Sequence, residues 1–320
     1  MSSLQAIADA AVPAAIAPEL AAAVAFAKAE KAPATRKAYG TDFRLFRAWC
    51  EEKRAEALPA LPETVAAYLA HAAAKGTKAS TLGRRLAAIR YAHKLANLPT
   101  PTDSEAVKAT IRGIRRTIGS AKVRKAPAVV ARLKAMVETC PDTLTGKRDR
   151  ALLLLGFGGA FRRSELVALD VEHFEEVPEG LRAFIAKSKT DQEAQGATIA
   201  IARGSSMACP VAALLDWLDA AGITSGPVFR PINKAGTVGT VRLTDRSVAN
   251  IVKAYASAAG LDEKQFSGHS LRRGFLTSAA AAGKSVFRMR DVSRHKSIET
   301  MSGYIQEAEL FKDHAGAGLL

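Results

Sequence analysis

Apolar residues recur at helical spacing through the first third of the chain, with polar residues filling the faces between them. Tyr39, Phe43, Phe46 and Cys50 form one stripe, and Val65, Tyr68 and Leu69 form another behind Pro62. Ser80 is a favourable N-cap for a third helix, which carries Leu82, Leu86 and Ile89 on one face. Arg84 and Lys94 fall on its opposite face, with Arg85 and Arg90 on the flanks. Pro99 and Pro101 mark a turn, and a helix is predicted from Ala106 to Ile118. Beyond Pro127 helices are predicted over Ala128–Thr139 and around Ala151–Leu155. Two short strand-like runs follow, Leu181–Ala186 and Ala197–Ala202, joined by a long polar turn. Helical patterns return at Pro210–Ala221, Thr244–Ala259, Ser270–Ala282 and Ser285–Val292. The predicted class is mainly α, with a small antiparallel sheet confined to the C-terminal half.

Charge sharpens the division. Lys108, Arg112, Arg115, Arg116, Lys122, Arg124 and Lys125 follow one another with no acid between them. Gly119, Ser120 and Pro127 bracket the end of this run, which predicts an interdomain linker. The expected organisation is an Ala-rich tail over 1–20, a helical domain over 21–118, a basic linker over 119–127 and a second domain over 128–320. At 320 residues each half is long enough for its own core. A formal charge of +15 and a pI near 9.9 favour a polyanionic partner, nucleic acid above all. A solvated tether explains the linker's charge equally well.

Cys50, Cys140 and Cys209 are widely spaced with no CxxC pair, so neither a disulfide framework nor a zinc site is indicated. Asp9, Pro13, Pro18 and Glu19 interrupt the Ala-rich start, which makes it a poor signal peptide. No apolar stretch is long enough to span a bilayer. The expectation is a soluble cytoplasmic protein without a membrane partner.

The sequence holds no HExxH, GxxxxGK[ST], GxGxxG or GxSxG motif. What remains is a series of basic residues and one tyrosine. Arg162 and Glu165 are three apart and can meet on a helix, where an ordinary surface ion pair is the bland alternative. His269 and Arg272 share one face at a helix start, which favours an anion there; a plain capped helix would look the same. His295 precedes Tyr304 by two to three helical turns, and a lone tyrosine is more often a core aromatic than a nucleophile.

Taken in order, Arg162 with Glu165, a hairpin Lys189, His269-x-x-Arg272, then His295 with Tyr304 nine residues later strongly resemble the tyrosine recombinase (phage integrase) family. The resemblance implies a two-domain fold that clamps DNA, with a catalytic domain built on a small sheet. It implies Tyr304 as a nucleophile forming a 3′-phosphotyrosyl link, with Arg162, Arg272 and His295 donating to the phosphate oxygens. His269 would assist the tyrosine's proton loss, Lys189 (or its neighbour Lys187) would protonate the departing 5′ hydroxyl, and Glu165 would fix its neighbours' geometry. No metal or other cofactor is implied. Two positions depart from the family pattern: Arg163 replaces an aliphatic residue, and Arg294 stands where Gly often precedes the second His.

The helix over 244–259 carries Val248, Ile251, Val252 and Tyr255 on one stripe and Arg246, Asn250 and Lys253 opposite. That layout suits a helix lying in a major groove, and Arg246 matches a base-reading arginine of relatives. The implied partners are double-stranded DNA with inverted-repeat sites and further copies of the chain, a dimer on one site and a tetramer in synapsis. Leu310 and Phe311, followed by a small flexible run, are expected to form an assembly tail. A type IB topoisomerase or a non-catalytic DNA-binding regulator would share much of this pattern.

Overall fold

The computed structural model describes residues 14–120, 125–186, 195–204, 207–295 and 297–308. The chain divides into two compact units, Met1–Val123 and Arg124–Leu320. The first is all helical: α1 (Ala17–Ala29), α2 (Pro33–Glu52), α3 (Pro62–Ala74), α4 (Ala79–Leu95) and α5 (Glu105–Ile118). Proline stands in the first turn of α1, α2 and α3, where the missing N–H costs nothing. The apolar stripes meet in one core of Phe46, Cys50, Val65, Tyr68, Leu69, Leu82, Ile89, Val107 and Ile111. His93 is buried within it. Its Nδ1 bonds the Ile89 carbonyl at 2.9 Å and its Nε2 accepts from the Ala60 N–H at 2.9 Å, so the ring is a satisfied neutral group.

One boundary differs from the sequence expectation. Helix α4 begins at Ala79, with Lys78 at the cap position and no capping side chain, so Ser80 lies inside the first turn. The Lys78 carbonyl closes that turn by accepting from Thr81 and Leu82, and Ala79 is buried, which draws the cap two residues back, from Ser80 to Lys78. Ser104 does cap α5, its hydroxyl accepting from the Val107 N–H.

The second unit holds α6 (Val130–Glu138), α7 (Leu144–Gly158), α8 (Arg163–Val167) and three strands, β1 (Phe174–Val177), β2 (Gly180–Ile185) and β3 (Ala197–Ala202). Helices α9 (Pro210–Ala220), α10 (Asp245–Ala258), α11 (His269–Ala281), α12 (Val286–Ser293) and α13 (Ile298–Ala308) complete it. The sheet is antiparallel in the order β1-β2-β3, with Phe174 opposite Ala183 and Leu181 opposite Ile201. Sequence reading predicted β2 and β3 but not β1. That edge strand is four residues long and buries neither face fully, so it leaves no period-two signal.

From Ala151 to Gly156 helix α7 is apolar all round because neighbours cover every side of it, and all six of these residues are buried. Leu152, Leu153, Leu155, Phe161, Leu166, Trp217 and Phe229 form the centre of the large core, and the Trp217 indole donates to the Val228 carbonyl at 2.9 Å. The segment leading into α6 is pinned along α11: Ala128 N–H donates to the Ser270 carbonyl at 2.9 Å. A side chain at Gly274 would stand 2.0 Å from the Ala128 carbonyl oxygen, so only glycine admits this approach. A smaller cluster of Leu276, Ala280, Met289 and Met301 seats α12 and α13 on α11. Cys50, Cys140 and Cys209 are all buried and unpaired with one another.

Candidate active site

Two stretches of the second unit, the start of α8 and the turn after α12, meet on one carboxylate. Arg162 occupies the N-cap position of α8, a helix of only five residues. Glu165, at the third helical position, reaches back to accept from the Arg162 backbone N–H at 2.9 Å and from its guanidinium at 2.5 Å. This is a capping box in which the capping residue is a candidate catalytic arginine. Glu165 is 2% exposed and accepts a third bond, at 2.8 Å, from the Arg294 guanidinium. Burial alone would push its carboxyl up. Arg294 and Arg162 outweigh that, so Glu165 stays below the usual carboxylate range and ionised.

Arg272 projects from α11 and is 4% exposed. It has no carboxylate of its own: one terminal nitrogen donates to the Ala160 carbonyl at 2.6 Å, and the other lies 3.3 Å from the His295 ring nitrogens. Burial, then the positive charges of Arg162 and Arg294, lower its pKa to about 9. His295 is not on a helix with Tyr304, as a simple count of turns suggests. It lies in the connection between α12 and α13, where Arg294 takes left-handed backbone angles (φ 57°, ψ 39°) and redirects the chain. The Ser293 hydroxyl is 2.9 Å from His295 Nδ1. Burial, and then Arg272, Arg162 and Arg294, drive the imidazole pKa down to about 4, so it is neutral near pH 7.

Tyr304 sits on α13, half-buried against the Leu276–Met301 cluster, its ring centroid 6.2 Å from that of His295. The Arg273 guanidinium stands 5.9 Å above the Tyr304 ring and also donates to the Lys125 carbonyl. His269 is the first residue of α11 and is exposed, its backbone N–H donating to the Ser267 hydroxyl at 3.3 Å. Lys189 and Lys187 lie outside the described residues, as do Leu310 and Phe311.

The two departures noted in the sequence acquire reasons here. The Arg163 stem packs on Gly268, where any side chain would stand 2.1 Å from the arginine Cδ, and its guanidinium lies 3.6 Å from Asp245 of α10. An arginine stem thus covers the apolar contact that an aliphatic residue would make. Arg294 supplies the second cation on Glu165. Its arrangement could be suspected from sequence only through the glycine usual at that position, which signals a left-handed backbone.

The remaining basic candidates divide into paired and outward-facing groups. Arg84 is bound to the buried Asp42 at 2.7 Å, Arg90 to Thr102 and Asp103, and Arg112 to Glu105. Arg85 lies 5.8 Å from the Tyr68 ring. Lys94, Arg115 and Arg116 are exposed, and so are Arg246, Asn250 and Lys253 along the outer face of α10, whose Val248 and Val252 are buried. Lys122 and Arg124 fall outside the described residues. Among the described residues no group of His, Cys, Asp and Glu could hold a metal ion, and no helix is long and apolar enough to cross a membrane.

Comparison with known proteins places this site in a family. The family model described as "Phage integrase family" matches residues 129–310, which include every residue of the site above, and the model described as "Phage integrase, N-terminal SAM-like domain" matches residues 25–97. The chain belongs to the phage integrase family. This integrase-family protein is 41% identical over 290 residues to the integrase/recombinase xerD homolog of Selenomonas ruminantium, covering 89% of this chain and 85% of that protein. It is 25% identical to the recombinase cre of Escherichia phage P1, over 83% of this chain and 82% of that one. Its fold is similar to the Tn1549 transposon integrase solved in complex with transposon right end DNA, with a TM-score of 0.63 at 14% identity, covering 97% and 98% of the two chains.

Proposed function

We propose that this integrase-family protein is a site-specific recombinase that cuts and rejoins double-stranded DNA through Tyr304. One observation carries the reading. Arg162, Arg272 and Arg294 surround a single buried carboxylate, so the pocket keeps an excess of positive charge that only an anion can neutralise. A phosphodiester is such an anion, and in the transition state of its cleavage the charge on phosphorus's oxygens grows.

In this reading the Tyr304 hydroxyl attacks phosphorus as the bond to the 5′ oxygen breaks. The phenolic proton leaves with assistance from His269, and Lys189 delivers a proton to the departing 5′ hydroxyl. The resulting 3′-phosphotyrosyl ester retains the energy of the phosphodiester, so a 5′ hydroxyl from a second strand reseals it and restores the tyrosine. Arg162 and Arg272 donate to the non-bridging oxygens, for which planar guanidiniums are suited, and neutral His295 adds one more N–H donor. No step needs a metal. Arg246, Asn250 and Lys253 read or hold the duplex, two copies occupy one inverted-repeat site, and four join two sites in the cytoplasm.

The test uses DNA that the full-length protein selects from a random-sequence pool, placed twice on a supercoiled plasmid. Wild type should yield a detergent-stable protein–DNA adduct mapped to Tyr304, and recombinants confined to the selected sites. Tyr304→Phe should bind that DNA but form no adduct. An adduct that persists in Tyr304→Phe, or maps to another tyrosine such as Tyr255, defeats the assignment. Relaxation without site-restricted recombinants would instead make the protein a topoisomerase.

A further inference from the structure

Arg294 is held more tightly than its backbone favours. A non-glycine residue with φ near +57° is disfavoured relative to right-handed conformations. Its side chain nevertheless runs inward to 10% exposure and spends every terminal nitrogen on a fixed partner. One nitrogen donates to Glu165 at 2.8 Å; the other reaches the Val292 carbonyl at 2.6 Å and the Gly159 carbonyl at 3.4 Å. The guanidinium carbon lies 5.5 Å from the centroid of the buried Phe161 ring. These contacts tie the turn after α12 to the segment 159–165, which carries the Ala160 carbonyl and Arg162. The residues they flank, Arg162 and His295, are separated by more than a hundred positions of chain.

We infer that Arg294 is a positioning residue, which holds Glu165 so that Arg272 stays on the Ala160 carbonyl and the His295 ring, aimed at the scissile phosphate. Glu165 is a buried anion with room for two cationic partners. Without Arg294, its unmet oxygen lone pairs would draw in the next nearest guanidinium, that of Arg272. Such a move would take a donor away from the phosphate, release His295 and loosen the turn that leads to Tyr304. The cost to cleavage follows from geometry: displacing a reacting group by about 1 Å can slow a reaction on the order of 100-fold. Arg294 itself touches no reacting atom, so DNA affinity should stay nearly constant. The inference rests on the DNA-cleaving reading above and adds to it a residue that the family pattern usually fills with glycine.

Three variants decide it, with selected DNA carrying a nick that traps the adduct. Arg294→Gly suits the left-handed backbone and should fold, as a thermal melt will verify. It should bind DNA within a few-fold of wild type yet form adduct roughly 100-fold more slowly. Arg294→Lys should recover part of the rate, since an ammonium can reach Glu165 but cannot span both carbonyls as a guanidinium does. Glu165→Gln placed in the Arg294→Gly background should cleave faster than Arg294→Gly alone, because the charge that diverts Arg272 is gone. Ring nitrogen NMR shifts of His295 at fixed pH, measured without DNA, should change in Arg294→Gly. Adduct formation by Arg294→Gly at the wild-type rate overturns the inference. So do unchanged His295 shifts. If wild type forms no adduct, the DNA-cleaving reading fails and the His295 shifts alone judge Arg294.

Discussion

The candidate site and the rest of the chain use arginine in different ways. In the N-terminal unit each described ion-paired arginine has a separate acid: Arg47 with Glu51, Arg84 with Asp42, Arg90 with Asp103, Arg112 with Glu105; Arg148, Arg163, Arg182, Arg203 and Arg242 of the C-terminal unit are paired in the same way. In the C-terminal unit Arg162 and Arg294 share Glu165, and Arg272 beside them bonds a carbonyl and an imidazole. One-to-one pairing neutralises charge within the fold. Crowding guanidiniums on one carboxylate leaves charge over; burial first, and the neighbouring arginines after it, lower the pKa of Arg272 and of Arg294. An outside anion would complete the set. The excess of basic residues that marks the whole composition thus has a different meaning at the candidate site than elsewhere in the chain.

The comparison breaks first at Arg272. If its charge awaits phosphate, Arg272→Lys should keep DNA binding and lower the adduct rate about 100- to 1000-fold, the usual cost of losing one transition-state donor. A fall below about threefold in a single-turnover assay would show that the guanidinium is merely structural. Arg84 should give the opposite outcome. Arg84→Ala strands the buried Asp42 carboxylate and should destabilise the protein by about 1–3 kcal/mol. Arg112→Ala, which removes only an exposed partner of Glu105, should cost far less. Denaturant melts of the two variants, run side by side, check both, and equal losses would erase the distinction drawn between buried and exposed partners.

The smallest expected effect concerns pH. His295 has a folded pKa near 4 against an ordinary 6.5, so the unfolded chain takes up this proton first as the solution is acidified. Its contribution to stability is complete above about pH 6.5 and is lost progressively toward pH 4. An anion in the pocket offsets the arginines that depress this pKa, so oligonucleotide binding should raise it. A His295→Gln variant whose melting temperature tracks wild type through that window would remove the imidazole from the account.

Much of the fold could be read along the chain, because helices and hairpin partners obey local periods. The stripes through Phe46, Val65 and Leu82 in the first unit, and through Val248 and Val252 in α10, are the faces buried in the structure. The family pattern marked Arg162, Glu165, His269, Arg272, His295 and Tyr304 without any coordinates. Local signals failed where position depends on a remote neighbour. Strand β1 exists because β2 offers it an edge, and α4 starts at Ala79 because Ala79 is buried.

The sequence by itself determined most of the elements and the excess of positive charge, and the family pattern nominated the chemistry-bearing side chains. Only the tertiary structure decided which cation serves which anion. Glu165 and Arg294 are 129 residues apart, and Arg272 meets the Ala160 carbonyl across 112. No periodicity encodes such distances. Hydrogen bonds and charge pairs act over a few ångströms, so their partners are chosen when α8, α11 and the turn after α12 pack together, and it is that packing that turns Arg294 from an odd residue at a glycine position into a brace for the site.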